Sequence, residues 1–497
     1  MSTTPNQNSG NFIVNYFKEF GVLRETRIEY WGIQLINLLD STMLFALVTM
    51  GPLLLSQDFG FSDPAAGWVM TLYGSGTTIC LFFFGAVTDW LGIRRSFYVS
   101  QLGLFITRGA ILLMAFTPGL PVPVRNTILV VAFGLMAPFV AMVITVFQAA
   151  NKRFTTGKSR SAGFNAWYVF MNFGAAGAGL LVDFVRFDLK AWLNLSAPAN
   201  VYVMAYGACS AIICIVLTFI FVRREEQLYG PGEELAEPAP EAAKSKKDLF
   251  SIAGTVIREP VFWRFLVLVS LLLGVRAVFL HMHLLMPKFW ERTIGPDALI
   301  GKLQMVNPVL VVAGLILLIP FLKRFTVYGM LVWGSMISAV SLFFLAIPAV
   351  GHQVYYTSVI CLIVLTVGEV IWSPRLTEYT AAIAPEGQEG TYLGLSMVPY
   401  FLAKTVVSAL SGYMLVYWCP VFEEGPSLIE RLTAGSIPFW RTPSAMWIIL
   451  GAWALSGPFI ALAMKRWFTK GAHWTKEEKE AAEAQVATTA ASDSNDA

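Results

Sequence analysis

Asp40, Arg108, Arg276, Glu369 and Lys404 stand inside stretches that are otherwise apolar. A charge near the middle of a lipid bilayer costs on the order of 3 kcal/mol on insertion scales, so each of these groups must meet water, an opposite charge or a ligand. A carboxylate in that position can hold a cationic group or carry a proton, and a guanidinium can clamp a carboxylate through two parallel hydrogen bonds. Glu369 is therefore a candidate for substrate and proton handling, with a permanent structural pair to a cation such as Lys404 as the alternative reading. Arg108 is expected to pair with Asp40 or a helix end, whereas Arg276 and Lys404 are expected to face a cavity and receive an anionic group. His281 and His283 stand two residues apart, which puts them on different faces of a helix, and no acids accompany them at metal-ligand spacing. They read as polar residues near an interface, and no metal or cofactor is expected.

The elements that must position these groups are membrane helices. Hydrophobic residues make up 56% of the 497-residue chain and charged residues only 13%, against about 25% charged in soluble domains. Soluble classes are excluded, and with lysines and arginines placed at the ends of apolar runs the net charge of +3 is no nucleic-acid footprint. The five cysteines fall inside or at the ends of apolar runs without metal spacing, as small buried residues do. No cleavable signal peptide is visible at the polar start.

A window of about 20 residues finds twelve candidate spans, grouped as six and six. The expected organisation is a polar segment with an interfacial helix over 1–30, a first six-helix bundle over 31–222, a linker over 223–260, a second bundle over 261–468 and a tail over 469–497. The linker, with Gly-Pro-Gly-Glu-Glu and Glu-Pro-Ala-Pro-Glu, is too polar and proline-rich to pack and reads as a tether. Arg94, Arg95, Lys152, Arg153, Lys158, Arg160 and the linker cations fall on one side of the implied topology. The positive-inside bias then places both termini in the cytoplasm, with an inner or plasma membrane as the expected location.

The turn Gly85-Ala-Val-Thr-Asp89-Trp-Leu-Gly92-Ile-Arg94-Arg95 resembles the loop between the second and third helices of major facilitator superfamily transporters, a fold of two six-helix halves around a central cavity. Three further stretches resemble the proton-dependent oligopeptide transporter family within it. They are Gly163-Phe-Asn-Ala-Trp-Tyr168-Val-Phe-Met-Asn172-Phe-Gly174, then Gln304-Met-Val-Asn307-Pro308, and Gly368-Glu369-Val-Ile-Trp-Ser373-Pro374 followed by Glu378-Tyr379. The resemblance implies that Tyr73, Tyr168, Asn172, Asn307 and Glu369 line the substrate site, with Glu369 facing an amino group. It also implies that Asp89, Arg94 and Arg95 gate one membrane face. The chain departs from that family where its first helix carries a paired acid and arginine, since Asn37-Leu-Leu-Asp40-Ser41-Thr42 stands there instead. Ala137 replaces a lysine before Pro138.

The residues thus point to an all-α integral membrane protein that moves a small carboxylate-bearing solute, peptide or amino-acid-like, by alternating access. Proton coupling would run through Asp40 or Glu369, and Arg276 and Lys404 would stand in for the missing cations at the substrate carboxylate. Uniport and exchange stay open. A non-transporting receptor on the same fold is the alternative, and an enzyme finds no support because no nucleophile elbow, phosphate loop or Cys/His cluster is present. The expected partners are a small-molecule substrate, protons and the lipid bilayer, and the expected unit is a monomer.

Overall fold

The protein was analysed as a computed structural model, which describes residues 21–155, 159–195, 199–222, 260–318, 325–383 and 389–469. The expected interfacial helix near Phe17, nearly all of the linker and the tail lie outside the described residues. Among the described residues the chain is all-helical, and eleven helices are long and apolar enough to cross a membrane. The eighth span, Ile300–Leu317, completes a set of twelve, and its apolar part is shorter.

The first half comprises Ile28–Leu53, Asp63–Leu91, Ile93–Met114, Val122–Phe154, Arg160–Asp183 and Val203–Phe221. The second comprises a seventh span broken into Pro260–Leu271 and Leu273–Leu284, then Ile300–Leu317, Val327–Val340, Gln353–Ile383, Glu389–Trp418 and Pro443–Ala463. Length and apolar content make these helices, because in lipid every backbone N–H and C=O must be satisfied within the segment. Local signals set several ends. Ser62 accepts a hydrogen bond from Ala65 N at the start of the second span, with Asp63 and Pro64 in its first turn. Gly92, at φ 76°, ends the second span and starts the third, so the sequence-marked turn reverses the chain at one residue in the left-handed region. The first span begins at Ile28, slightly ahead of the expected domain start at 31.

Large apolar side chains such as Phe83, Phe219 and Tyr356 are exposed, as lipid-facing positions require. Between the halves, two helix pairs pack closely: the second with the eleventh and the fifth with the eighth. Both crossings depend on glycine. A Cβ on Gly301 would collide with the Gly179 carbonyl, and one on Gly412 would collide with the backbone of Asp63. Small residues let helix backbones approach in lipid, where no hydrophobic gain drives association.

Candidate functional site

A cavity of about 200 Å³ opens where the first and fifth spans of one half face the seventh, eighth and tenth of the other. Tyr168 and Asn172 come from the fifth span, Asn307 and Gln304 from the eighth, and Glu369 from the tenth. Asn307 donates through Nδ2 to Glu369 Oε2 at 2.8 Å and to Thr366 Oγ1 at 2.9 Å. This links the eighth span to the tenth and leaves Glu369 Oε1 with no partner among the described residues. Asn172 Nδ2 donates to the carbonyl of Tyr168 at 2.9 Å, and Gln304 Nε2 to the carbonyl of Met282 at 2.5 Å. Phe45 and Phe279 supply aromatic wall. The cavity can receive a small polar group against one carboxylate, with amide oxygens around it.

His283 also lines this cavity, in contrast to its reading as a near-interface residue. Its Nδ1 lies 3.1 Å from the Phe279 carbonyl, and its ring is 5.7 Å from that of Phe45. The i, i+2 spacing does separate the two histidines: His281 is buried, with its Nδ1 unpartnered. Gln304, inside a motif read from sequence but not singled out, joins the wall as well.

The other ionisable groups singled out in the sequence lie elsewhere. Arg108 Nη2 stands 3.7 Å from Asp40 Oδ1 and its Nη1 donates to Gly207 O at 3.0 Å, while Gln101 Nε2 donates to Asp40 Oδ2 at 3.2 Å. Asp40 is thus held inside the first half by a hydrogen bond from Gln101 and the charge of Arg108, and does not line the cavity. Tyr73 is buried beside Phe133, with ring centroids 6.3 Å apart, and is likewise not in the wall. Arg276 lies over the Trp372 ring at 5.9 Å, and Trp372 packs at 5.9 Å against Phe279, so Arg276 sits one side chain behind the cavity. Lys404, on the eleventh span, packs against the second: a Cβ on Gly74 would come within 3.0 Å of its Cε. It makes no ion pair or hydrogen bond with a described residue. Beside it Ser75 and Thr405 share a hydrogen bond of 2.7 Å across the same seam.

At the face that bears the loop between the first and second spans, the halves are joined by charge. Asp63 Oδ1 accepts from Lys288 Nζ at 2.6 Å and Asp63 Oδ2 from Arg292 Nη2 at 2.7 Å. Asp183 caps the eighth span by accepting from Gly301 N at 2.7 Å and Lys302 N at 2.9 Å. Arg186 Nη1 donates to the carbonyl of Ala298 at 2.5 Å, and its Nη2 stands 3.4 Å from Glu291 Oε1. Gln57 donates to Glu291 Oε2 at 2.6 Å. None of these residues is among those singled out in the sequence; opposite signs at facing span ends were the signal available. Lys288 lies in Met286–Ile294, beyond the apolar span, and burial pulls its pKa below 10.5 while Asp63 pulls the other way. At the opposite face Arg94 donates to Tyr98 Oη at 3.3 Å and lies over Phe219, and Arg95 is exposed. The side chain of Asp89 lies outside the described set.

Two six-helix halves, small-residue crossings between them and a cavity at their junction walled by both halves are the architecture of a multi-pass membrane transporter. The sequence profile of the Major Facilitator Superfamily matches residues 31–408, and the chain belongs to that superfamily. Among solved structures it is similar to a peptide transporter of the POT family in complex with sulfate, at 14% identity and a TM-score of 0.62, over 90% of this chain and 96% of that one. A D-xylose–proton symporter is equally similar, at 14% identity and a TM-score of 0.63, over 90% of this chain and 98% of that one. A bacterial homologue of the human drug peptide transporters PepT1 and PepT2 follows at 16% identity and 0.61, over 89% and 99%. Likeness at this level of identity shows the fold alone. No curated protein matches the sequence.

Proposed function

We propose that this chain is a secondary active transporter that moves a small amino-acid-like solute by alternating access, with proton coupling through Glu369. The observation that carries the reading is the Asn307–Glu369 contact inside a cavity whose walls come from both halves. An ammonium or other donor-bearing end of the solute is received by Glu369 Oε1. Its carboxylate is received by Lys404, a cation on the second–eleventh seam that has no ion partner among the described residues and stands outside the cavity wall, so that contact forms only after rearrangement. Arg276 supports the wall through Trp372 and reaches the solute only after rearrangement.

The two halves, residues 31–222 and 261–468, rock about the glycine crossings, tethered by 223–260. The positive-inside bias assigns the face with Arg94 and Arg95 to the cytoplasm. On that assignment the Asp63 and Arg186 contacts seal the external face, and Asp89, Arg94 and Arg95 act in the state of opposite access. Asp40, held by Arg108 and Gln101, is a second site for proton coupling only if that pair opens during the cycle.

The test is purified protein in liposomes, offered labelled peptides, amino acids and organic anions with and without an inwardly acidic or alkaline gradient. The reading predicts that a zwitterionic solute accumulates when the gradient is imposed and less when it is absent. Uptake identical in both conditions would remove the coupling, and binding without any uptake would make the protein a receptor.

A further inference from the structure

The cavity can be read by the direction of its hydrogen bonds. Asn307 commits both N–H bonds of its amide, one to Thr366 and one to Glu369. Gln304 and Asn172 each direct one N–H to a backbone carbonyl. Carbonyls and carboxylates accept only, so each amide nitrogen faces a protein partner; Asn307 keeps only its oxygen, while Gln304 and Asn172 keep their oxygen and one N–H. His283 obeys the same rule. Its Nδ1 contact is the Phe279 carbonyl, so Nδ1 carries the hydrogen and a neutral ring keeps its lone pair on Nε2, which meets no described residue.

What remains on the wall is rich in acceptors, namely Glu369 Oε1, amide oxygens and the imidazole Nε2, beside the second N–H groups of Gln304 and Asn172 and the hydroxyls of Tyr168 and Thr49, which can donate. Among the described residues no lysine or arginine lines the chamber, and its one formal charge is negative. An ammonium offers three N–H donors arranged about a point, whereas a guanidinium offers five in one plane. A planar cation also packs favourably on aromatic faces, which Phe45, Phe279 and Tyr168 supply.

Resting on the reading that this chamber takes the solute's cationic end, we infer that it is matched to a guanidinium group, and that His283 distinguishes guanidinium from a simple ammonium. Glu369 supplies the charge for either cation. His283 supplies a further acceptor from the seventh span to a wall whose other acceptors come from the fifth, eighth and tenth, and a guanidinium, with five donors in one plane, can engage more of them at once than an ammonium with three.

The probes are agmatine and putrescine, which share a four-carbon stem and differ in one guanidinium, with D-xylose as a neutral polyol. Binding to the full-length purified protein is read by ligand-dependent thermal stabilisation, and passage by flux in liposomes. Agmatine is expected to bind at least about tenfold more tightly than putrescine, since one added charge-assisted hydrogen bond is worth about a decade. His283→Phe keeps the ring and removes the acceptor. It should weaken agmatine about tenfold and leave putrescine within about twofold, and His283→Gln, whose amide oxygen can replace Nε2, should recover most of the loss. Equal affinities for the two cations, or a preference for D-xylose, would overturn the inference in the wild-type protein, whether or not the phenylalanine variant folds. Agmatine binding with no passage of agmatine or of any of the labelled peptides, amino acids and organic anions would remove the transport reading and leave this one. Passage of a dipeptide or sugar with which agmatine does not compete would do the reverse.

Discussion

Asp63 Oδ1 and Lys288 Nζ meet at 2.6 Å across the boundary between the halves, the acid at the start of the second span and the amine just beyond the seventh. Asp63 is shared with Arg292, and both cations are largely withdrawn from solvent. One carboxylate therefore fastens two positive charges of the opposite half.

Removing that carboxylate leaves two buried cations unpaired, a change worth roughly 3–5 kcal/mol where a buried pair is broken from one side. Asp63→Asn should shift the protein toward opening at this face, detected as a distance increase between spin labels placed at positions 61 and 424. Solute affinity should change by no more than about threefold, because the cavity lies away from this network. An unchanged distance distribution would show that the seal rests on the glycine crossings and not on charge.

The pH dependence of the seal has a definite sign. Burial lowers the Lys288 pKa below 10.5 in the sealed state, and opening would return the amine to water. The open state then binds more protons between the lowered value and 10.5, so raising the pH through that window favours the sealed state. The intuitive outcome, alkaline unlocking of an ion pair, is the reverse, and Arg292 still holds Asp63 when Lys288 is neutral. The same spin-label distance, followed from neutral pH to about 10.5, should shorten or stay sealed. Lengthening would mean that the Asp63 attraction outweighs desolvation at Lys288.

Lys404 should recognise the solute's carboxylate. Lys404→Gln is expected to weaken a carboxylate solute by roughly tenfold to a hundredfold, the equivalent of about 1.5–3 kcal/mol for a hydrogen bond to a charged group. An amidated analogue of the same solute should be affected by no more than about twofold. Isothermal titration with the two forms separates the cases, and equal loss for both would make Lys404 a packing residue of the second–eleventh seam.

Much of this architecture is legible in the chain because membrane physics leaves few choices. Apolar runs of spanning length fix helices, and Gly92 ahead of Arg94 and Arg95 marks a tight reversal that φ 76° realises. Glu369 stands out because an acid in an apolar run needs a reason, and Asn307 because its motif accompanies it; the structure brings them within 2.8 Å. His283 does not stand out. Two residues of spacing say that His281 and His283 face apart, not which of them faces the cavity. Charge alone likewise cannot tell Arg108, paired inside one half, from Lys404 on the seam, since depth in a span is the same signal for both. The seal at Asp63 joins residues more than 200 positions apart, and only the packing of the halves brings them together.

The central claim is that solute held at Glu369 crosses the membrane by alternating access, and counterflow in liposomes tests it most directly. Vesicles preloaded with unlabelled solute should take up labelled solute faster than empty vesicles, since exchange needs no net proton movement. Glu369→Gln should bring that exchange down by at least about tenfold, with an unchanged melting profile for the unliganded protein. Labelled solute that binds the protein but never enters preloaded vesicles, or a glutamine variant that exchanges at the wild-type rate, would contradict the account.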